Sequence, residues 1–237
     1  MSTKYFILTK PTDKPTSNDE NNQIIFLNNL QTFILPSNNL NYYTNNGLFE
    51  KNIIEWCKEF CSKDKIFLDI GAHTGTYSIS LAPFSKYVHS FEPQKQTYYA
   101  LCGSVVLSNK TNITCHNIGL GSEEQVGKKI LKIISNDGGG SSLHINNNTT
   151  HVLREEEINI NTLDSLGLDN IGFIKMDVED NEYFVLKGAV DTLKKSNYPR
   201  ILFESNSENK QLFDFIHSIG YKTEKIINCN NMFLASF

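Results

Sequence analysis

The chain has 237 residues, 39% of them hydrophobic and 20% charged, a composition that fits one globular α/β domain with a sizeable core and excludes global disorder. Its formal net charge of -4 argues against a broad basic surface for a nucleic-acid backbone, so nucleic acid is an unfavoured partner. There is no apolar run of the roughly 18 residues that a membrane-spanning helix needs and no signal-peptide pattern, so a soluble, cytoplasmic protein is expected. The cysteines Cys57, Cys61, Cys102, Cys115 and Cys229 are scattered and read as reduced thiols rather than zinc ligands.

In chain order, residues 1–23 read as a mobile arm, because positions 9–23 carry Pro11, Pro15 and a run of Thr, Asp, Ser and Asn without apolar periodicity. Residues 24–62 follow as a hairpin and a helix. Ile24 to Leu27 and Thr32 to Leu35 would pair, and Phe49, Ile53, Ile54, Trp56, Cys57 and Phe60 recur at helical spacing over 48–60. The main domain, 63–237, then alternates. Strands are expected at 66–70, 87–91 and 113–116, with helices at 75–82 and 95–107 between them. Residues 121–161 read as an irregular insertion over the sheet edge or the mouth of a site, with Gly138-Gly139-Gly140 and Asn146-Asn147-Asn148 marking turns between short strands. Alternation resumes with a strand at 171–176, a helix at 182–195, a strand at 200–203 and a helix at 210–219. The segments 221–226 and 232–237 then face each other as a terminal antiparallel hairpin.

The sharpest local signal runs from Phe67 to Gly75, an apolar strand passing through a tight turn into a helix. Ligands of open α/β sheets sit at the carboxyl ends of strands, which places a nucleoside on this turn. Gly71 and Gly75 allow close backbone approach, and Asp69 is positioned to act through water or backbone. A dinucleotide fingerprint beginning at Gly71 would need glycines where the chain has His73 and Thr76, so a pyrophosphate cradle is disfavoured. The next strand ends in Glu92, whose carboxylate can accept hydrogen bonds from both hydroxyls of a ribose. Asn117, Ile118 and Gly119 follow the third strand, where adenine contacts fall.

Several ordered motifs together resemble the FkbM-type methyltransferases: FLDIGAHTGTYS from Phe67, SFEP from Ser90, GGGSSL from Gly138, INTLDSL from Ile160 and FIKMDVEDNEYFVLKGA from Phe173. The family usually has Lys-x-Asp-x-Glu-Gly in the last motif. Lys175, Asp177 and Glu179 keep that register, with Asp180 in place of the glycine. The resemblance implies a class I methyltransferase architecture: a doubly wound, Rossmann-like α/β fold with a seven-stranded, mostly parallel sheet and a C-terminal antiparallel hairpin. It also implies methyl transfer from S-adenosylmethionine to a hydroxyl, commonly on a sugar or glycosylated compound. The cofactor-binding set is then Asp69, Gly71, His73, Thr74, Gly75, Glu92, Asn117 and Ile118.

A hydroxyl is a poor nucleophile at neutral pH, so a base or a metal is expected beside it. Asp177 is the first choice for the base, with Glu179 and Glu204 as further catalytic acids. Their convergence would offer oxygen ligands to Mg²⁺, chiefly from Asp177 and Glu204. Ser141, Ser142 and Tyr43 are candidates for the acceptor side, Tyr43 with Tyr42 as an aromatic lid. The expected partner is a small-molecule or glycan acceptor, with a homodimer left open. Two alternatives stand beside this reading: methylation of a protein or RNA, and a binding module without turnover.

Overall fold

The computed structural model describes residues 5–11, 30–135, 137–144, 150–205, 209–227, 229 and 231–237. The first part contributes β1 (Tyr5–Pro11), β2 (Leu30–Pro36), α1 (Leu40–Asn46) and α2 (Lys51–Cys57). The main sheet then begins with β3 (Ile66–Ile70), α3 (Thr76–Leu81), β4 (Tyr87–Phe91), α4 (Lys95–Leu107) and β5 (Ile113–His116). Three strands follow outside that sheet: β6 (Gly119–Leu120), β7 (Gly127–Ile133) and β8 (Arg154–Asn161). The chain ends with β9 (Ile171–Met176), α5 (Glu182–Lys187), α6 (Val190–Lys195), β10 (Arg200–Glu204), α7 (Lys210–Ser218), β11 (Lys222–Lys225) and β12 (Met232–Ser236). Among the described residues no helix is long and apolar enough to cross a membrane.

The seven-stranded sheet has the order β11-β12-β10-β9-β3-β4-β5, with only β12 running antiparallel to its neighbours β10 and β11. Strand alternation divides the core in two. Phe67, Val88, Phe173 and Leu202 join one apolar cluster, while Leu68, Phe91, Ile174, Ile201 and Phe203 join the other. Successive residues of a strand point to opposite faces, and helices cover both, so these strands are apolar in nearly every position. The chain order reverses between β3 and β9, and a crevice forms at the carboxyl ends of the strands there.

Three sequence expectations need correction. Ile24 to Leu27 lies outside the described residues, and the partner of the strand at Thr32 to Leu35 is β1, taken from the segment read as a mobile arm. β1 and β2 pair antiparallel over seven positions, from Tyr5↔Pro36 to Pro11↔Leu30. The period-2 signal was present but short: Phe6 and Leu8 pack on the core while Ile7 between them is 61% exposed. The expected 48–60 helix is confined to α2, with α1 ahead of it and a 3₁₀ turn at Lys58–Phe60 behind. The expected helix over 182–195 is broken into α5 and α6 at Gly188, where a Cβ would come within 2.1 Å of the Gly121 carbonyl oxygen.

The short strands expected in the insertion are present and form a small sheet of their own. β7 and β8 pair antiparallel from Gly127↔Ile160 to Ile133↔Arg154, β6 joins β8 in parallel, and Leu131, Ile133, Ile158 and Ile160 form a third apolar cluster. The spacing of two within each isoleucine or leucine pair turns both side chains to one face of the small sheet.

Candidate active site at the carboxyl ends of the strands

A cavity of about 320 Å³ lies at the carboxyl ends of β3, β4 and β9. Its wall combines the turn after β3 (Gly71, Ala72, His73), Glu92 and Pro93 after β4, Ile118 after β5, and Lys175, Asp177 and Glu179 from β9 and its turn. Asp137, Ser141 and Ser142 from the insertion and Tyr43, Phe49 and Glu50 from the N-terminal region complete it. This volume falls within the roughly 300–1,000 Å³ typical of small-molecule sites.

Two glycines shape the cofactor turn through packing of the protein itself. Gly71 has φ +77°, and a Cβ there would lie 1.8 Å from the Asp177 carbonyl oxygen, so this turn and the turn after β9 touch backbone to backbone. Gly75 has φ +90°, and its Cβ would fall 2.6 Å from Leu101 Cδ1, which ties the start of α3 to α4. Gly71 lines the cavity; Gly75 and the buried Thr74 lie behind it.

Glu92 is buried, and each carboxylate oxygen already accepts one backbone hydrogen bond: Oε2 from the His73 N–H at 2.9 Å and Oε1 from the Gln94 N–H at 2.9 Å. A carboxylate has about four acceptor positions, so one on each oxygen remains for a pair of neighbouring hydroxyls. Burial pushes its pKa up to about 8 despite those two donors. Asn117 is differently employed. Its Nδ2 donates to the carbonyls of Glu92 and Pro93 at 2.9 and 3.0 Å, which braces the end of β4, and its side chain is not on the cavity wall.

Asp69 also stands behind the wall. It is fully buried, one oxygen accepts from Ser78 Oγ, and the other, Oδ1, has no hydrogen-bond partner. Burial raises its pKa while the nearby Lys175 ammonium opposes that shift. Its contact is with the α3 side of the turn rather than with the cavity.

Lys175 is the centre of the opposite side. Its Nζ donates to Asp177 Oδ2 and to the Gly71 carbonyl, both at 3.3 Å, and sits 5.2 Å from the centre of the Tyr77 ring. Burial pulls its pKa down, but the carboxylates of Asp177, Asp69 and Glu50 outweigh burial and raise it, so the ammonium stays charged. Asp177 lines the cavity, and its Oδ1 makes no hydrogen bond among the described residues.

Glu179 acts as a fastening. Its Oε1 accepts from the Gly140 N–H at 2.8 Å and its carbonyl accepts from Ser142 Oγ at 2.5 Å. His73 holds the same segment from the other side. Its Nε2 lies 2.7 Å from the Asp137 carbonyl, a pure acceptor, so Nε2 carries the proton, and burial lowers the pKa and keeps the ring neutral. Residues 137–142 thus span the cavity as a strap. Ser141 turns its hydroxyl to the Gly138 carbonyl at 2.8 Å.

The expected three-acid cluster does not form. Glu204, half-buried at the end of β10, is not on the cavity wall; burial and the charges of Asp177 and Glu179 push its pKa up to about 7. Among the described residues no group of three or more His, Cys, Asp or Glu side chains has a metal-holding arrangement. The structure lends no support to Mg²⁺ on Asp177 and Glu204: Glu204 is off the cavity wall, and Lys175 already holds one oxygen of Asp177.

Tyr43 reaches the cavity wall as a buried side chain, packed against Phe6 and Phe49 at ring distances of 5.6 and 5.0 Å. Sequence reasoning missed Phe49, Glu50 and Tyr77. Tyr77 O–H donates to Glu50 Oε2 at 2.7 Å, joining α3 to the turn before α2. Nothing local marks this contact, since Phe49 reads as the first apolar position of a helix.

This strand order, with β12 antiparallel between β10 and β11 and a cavity at the switch between β3 and β9, is the class I S-adenosylmethionine-dependent methyltransferase fold. The family model for the FkbM methyltransferase domain matches residues 69–223, and the chain belongs to that family. An FkbM methyltransferase from Methylobacillus flagellatus KT is similar at 18% identity and a TM-score of 0.50, over 74% of this chain and 44% of that one. The chain therefore spans less than half the length of that relative. An rRNA methylase from Streptococcus thermophilus is similar at 13% identity over 79% and 96% of the two chains, with a TM-score of 0.49. A Streptococcus mutans protein solved in complex with SAH is similar at 12% identity over 78% and 94%, also with a TM-score of 0.49. No curated protein sequence matches the chain.

Proposed function

We propose that the chain is an O-methyltransferase that moves the methyl group of S-adenosylmethionine to a hydroxyl of a sugar, glycan or glycosylated small molecule. One observation carries this reading: a single cavity holds both Glu92, with an acceptor position free on each oxygen, and the Lys175–Asp177 pair. The residues fit the cofactor. Glu92 would hold the ribose hydroxyls, Phe91, Pro93 and Ile118 offer apolar walls to the adenine, and Gly71 and Lys175 border the methionine end.

When bound, S-adenosylmethionine supplies an electrophilic methyl group on a sulfonium. Lys175 fixes Asp177 through Oδ2, and Asp177 Oδ1 would accept the proton of the acceptor hydroxyl while the methyl group leaves sulfur for that oxygen, with S-adenosylhomocysteine as the thioether product. General-base help of this kind contributes about 10² to 10⁴ in rate, and alignment of the reactants about 7–11 kcal/mol. The strap at residues 137–142 excludes water from the same volume.

Calorimetric titration with S-adenosylmethionine tests the reading. We expect saturable heat from the wild type, at least tenfold weaker binding in Glu92→Gln, and near-normal binding in Asp177→Asn with methyl transfer slowed by about 10² to 10⁴. Absence of saturable heat from the wild type would sink it.

A further inference from the structure

The matched family segment begins at residue 69, yet Pro36, Tyr43, Phe49 and Glu50 line the same cavity from upstream. We infer that this upstream wall selects the acceptor, with Glu50 holding hydroxyls of a neutral sugar ring that lies against Phe49 and Tyr43. The inference rests on the O-methyltransferase reading and names the residues that give it a substrate class.

The backbone of Glu50 is the first reason. Its φ is +54°, in the left-handed region that an L-residue enters only at a cost. The residue stands at the N-cap of α2 but makes no capping hydrogen bond with its side chain. Instead Oε2 accepts from Tyr77 O–H at 2.7 Å, and Oε1 has no hydrogen-bond partner among the described residues. In this conformation the Glu50 carbonyl accepts the Ile54 N–H at 2.9 Å and opens α2, and the carboxylate, half-used, stands on the cavity wall where a ligand can reach it. A carboxylate is acceptor-only, so its natural partners are O–H or N–H groups.

The surroundings narrow the ligand. Phe49 is 37% exposed, stacked on Tyr42 at 4.0 Å and edge-on to Tyr43 at 5.0 Å, which gives the mouth a firm aromatic wall. Aromatic surface beside a hydroxyl-accepting carboxylate suits a ring with C–H groups on one side and O–H groups on the other. Glu50, Asp137, Asp177 and Glu179 line the cavity, and Lys175, already paired, is the lone Lys or Arg on its wall among the described residues. A phosphorylated or nucleic-acid acceptor would meet these carboxylates, while a cationic one would have to approach the sulfonium of the bound cofactor. A neutral polyhydroxylated ring avoids both.

Saturation-transfer NMR of the whole chain with S-adenosylhomocysteine present provides the test, because no turnover occurs. The probes are methyl α-D-glucopyranoside, methyl α-D-mannopyranoside and methyl α-L-rhamnopyranoside, with glycerol 3-phosphate and Nα-acetyl-lysine amide as anionic and cationic comparisons. We expect saturation of the ring protons of at least one glycoside, an affinity weakened about 5- to 10-fold in Glu50→Gln and at least tenfold in Phe49→Ala. Calorimetry with S-adenosylhomocysteine should agree within twofold across the three proteins, which shows that the variants are folded. Stronger binding of the phosphate or the lysine amide, silence from all three glycosides, or glycoside affinity unmoved by both substitutions overturns the inference. A wild type that gives no heat with S-adenosylhomocysteine instead overturns the methyltransferase reading on which it rests.

Discussion

Gly71→Ala introduces a Cβ 1.8 Å from the carbonyl oxygen of Asp177 and 2.9 Å from its carbonyl carbon. The obstacle is backbone, so no side-chain rotation can relieve it. The left-handed φ of +77° adds about 1–2 kcal/mol for an L-residue, and the overpacking about 1–3 kcal/mol. The sum, about 2–5 kcal/mol, lowers Tm by about 10 °C, since each kcal/mol shifts a domain of this size by about 2–4 °C. Gly167→Ala supplies the comparison: φ is +64° but nothing lies within 4 Å of the new Cβ, so only the backbone cost of about 1–2 kcal/mol applies. Thermal melts and urea titrations of both variants measure the difference, and cofactor titration follows any displacement of Asp177. Equal losses in the two variants would refute the backbone-contact account of the turn.

Two further outcomes follow from the same region. Burial pushes the pKa of both Glu92 and Glu182 up to about 8, above the usual carboxylate value, so their stability contribution is full below about pH 4.5 and is lost as pH rises through 8. The urea midpoint should fall between pH 5 and 8.5, and Glu182→Gln, which is off the cavity wall, should flatten that slope; an unchanged slope would contradict the assignment. Asp180 has φ +72° at the position where the family motif carries glycine, so Asp180→Gly should remove about 1 kcal/mol of strain, less some unfolded-state entropy. A Tm rise of about 1–3 °C is expected, and a fall would show that the aspartate side chain has a role of its own.

The centre of the main sheet was readable because β3, β4, β9 and β10 are compact, largely apolar runs bounded by turn residues, and β4, β5 and β9 occupy the expected residues. β1 was not readable, since its partner β2 lies nearly twenty residues away and nothing local distinguishes Tyr5–Leu8 from a stray apolar patch. The same division runs through the site. Gly71, Glu92, Ile118 and Asp177 end strands or follow them directly, and all reach the cavity wall. Asp69, Thr74, Gly75 and Asn117 sit in the same motifs but face the packing behind the wall, a distinction of side-chain direction that spacing does not encode. Glu204 ends a strand one position further along the sheet and falls outside the cavity. Glu50 and Phe49 were hidden because their relation to Lys175 and Tyr77 exists only after α2 docks.

The docking of β2 has a further consequence. A two-stranded ribbon presents an unpaired edge that could recruit a strand from another molecule. Here the Thr32 N–H donates to Ser108 Oγ at 2.8 Å, Ser108 Oγ donates back to the Thr32 carbonyl at 2.9 Å, and the Ile34 N–H donates to Ser104 Oγ at 2.8 Å. The hydroxyls of Ser104 on α4 and of Ser108 at its C-cap therefore stand in for a neighbouring strand. With Ser104 and Ser108 both replaced by alanine, this edge of β2 would lose those partners and become open to pairing with a strand from another molecule, even where the catalytic residues stay in place.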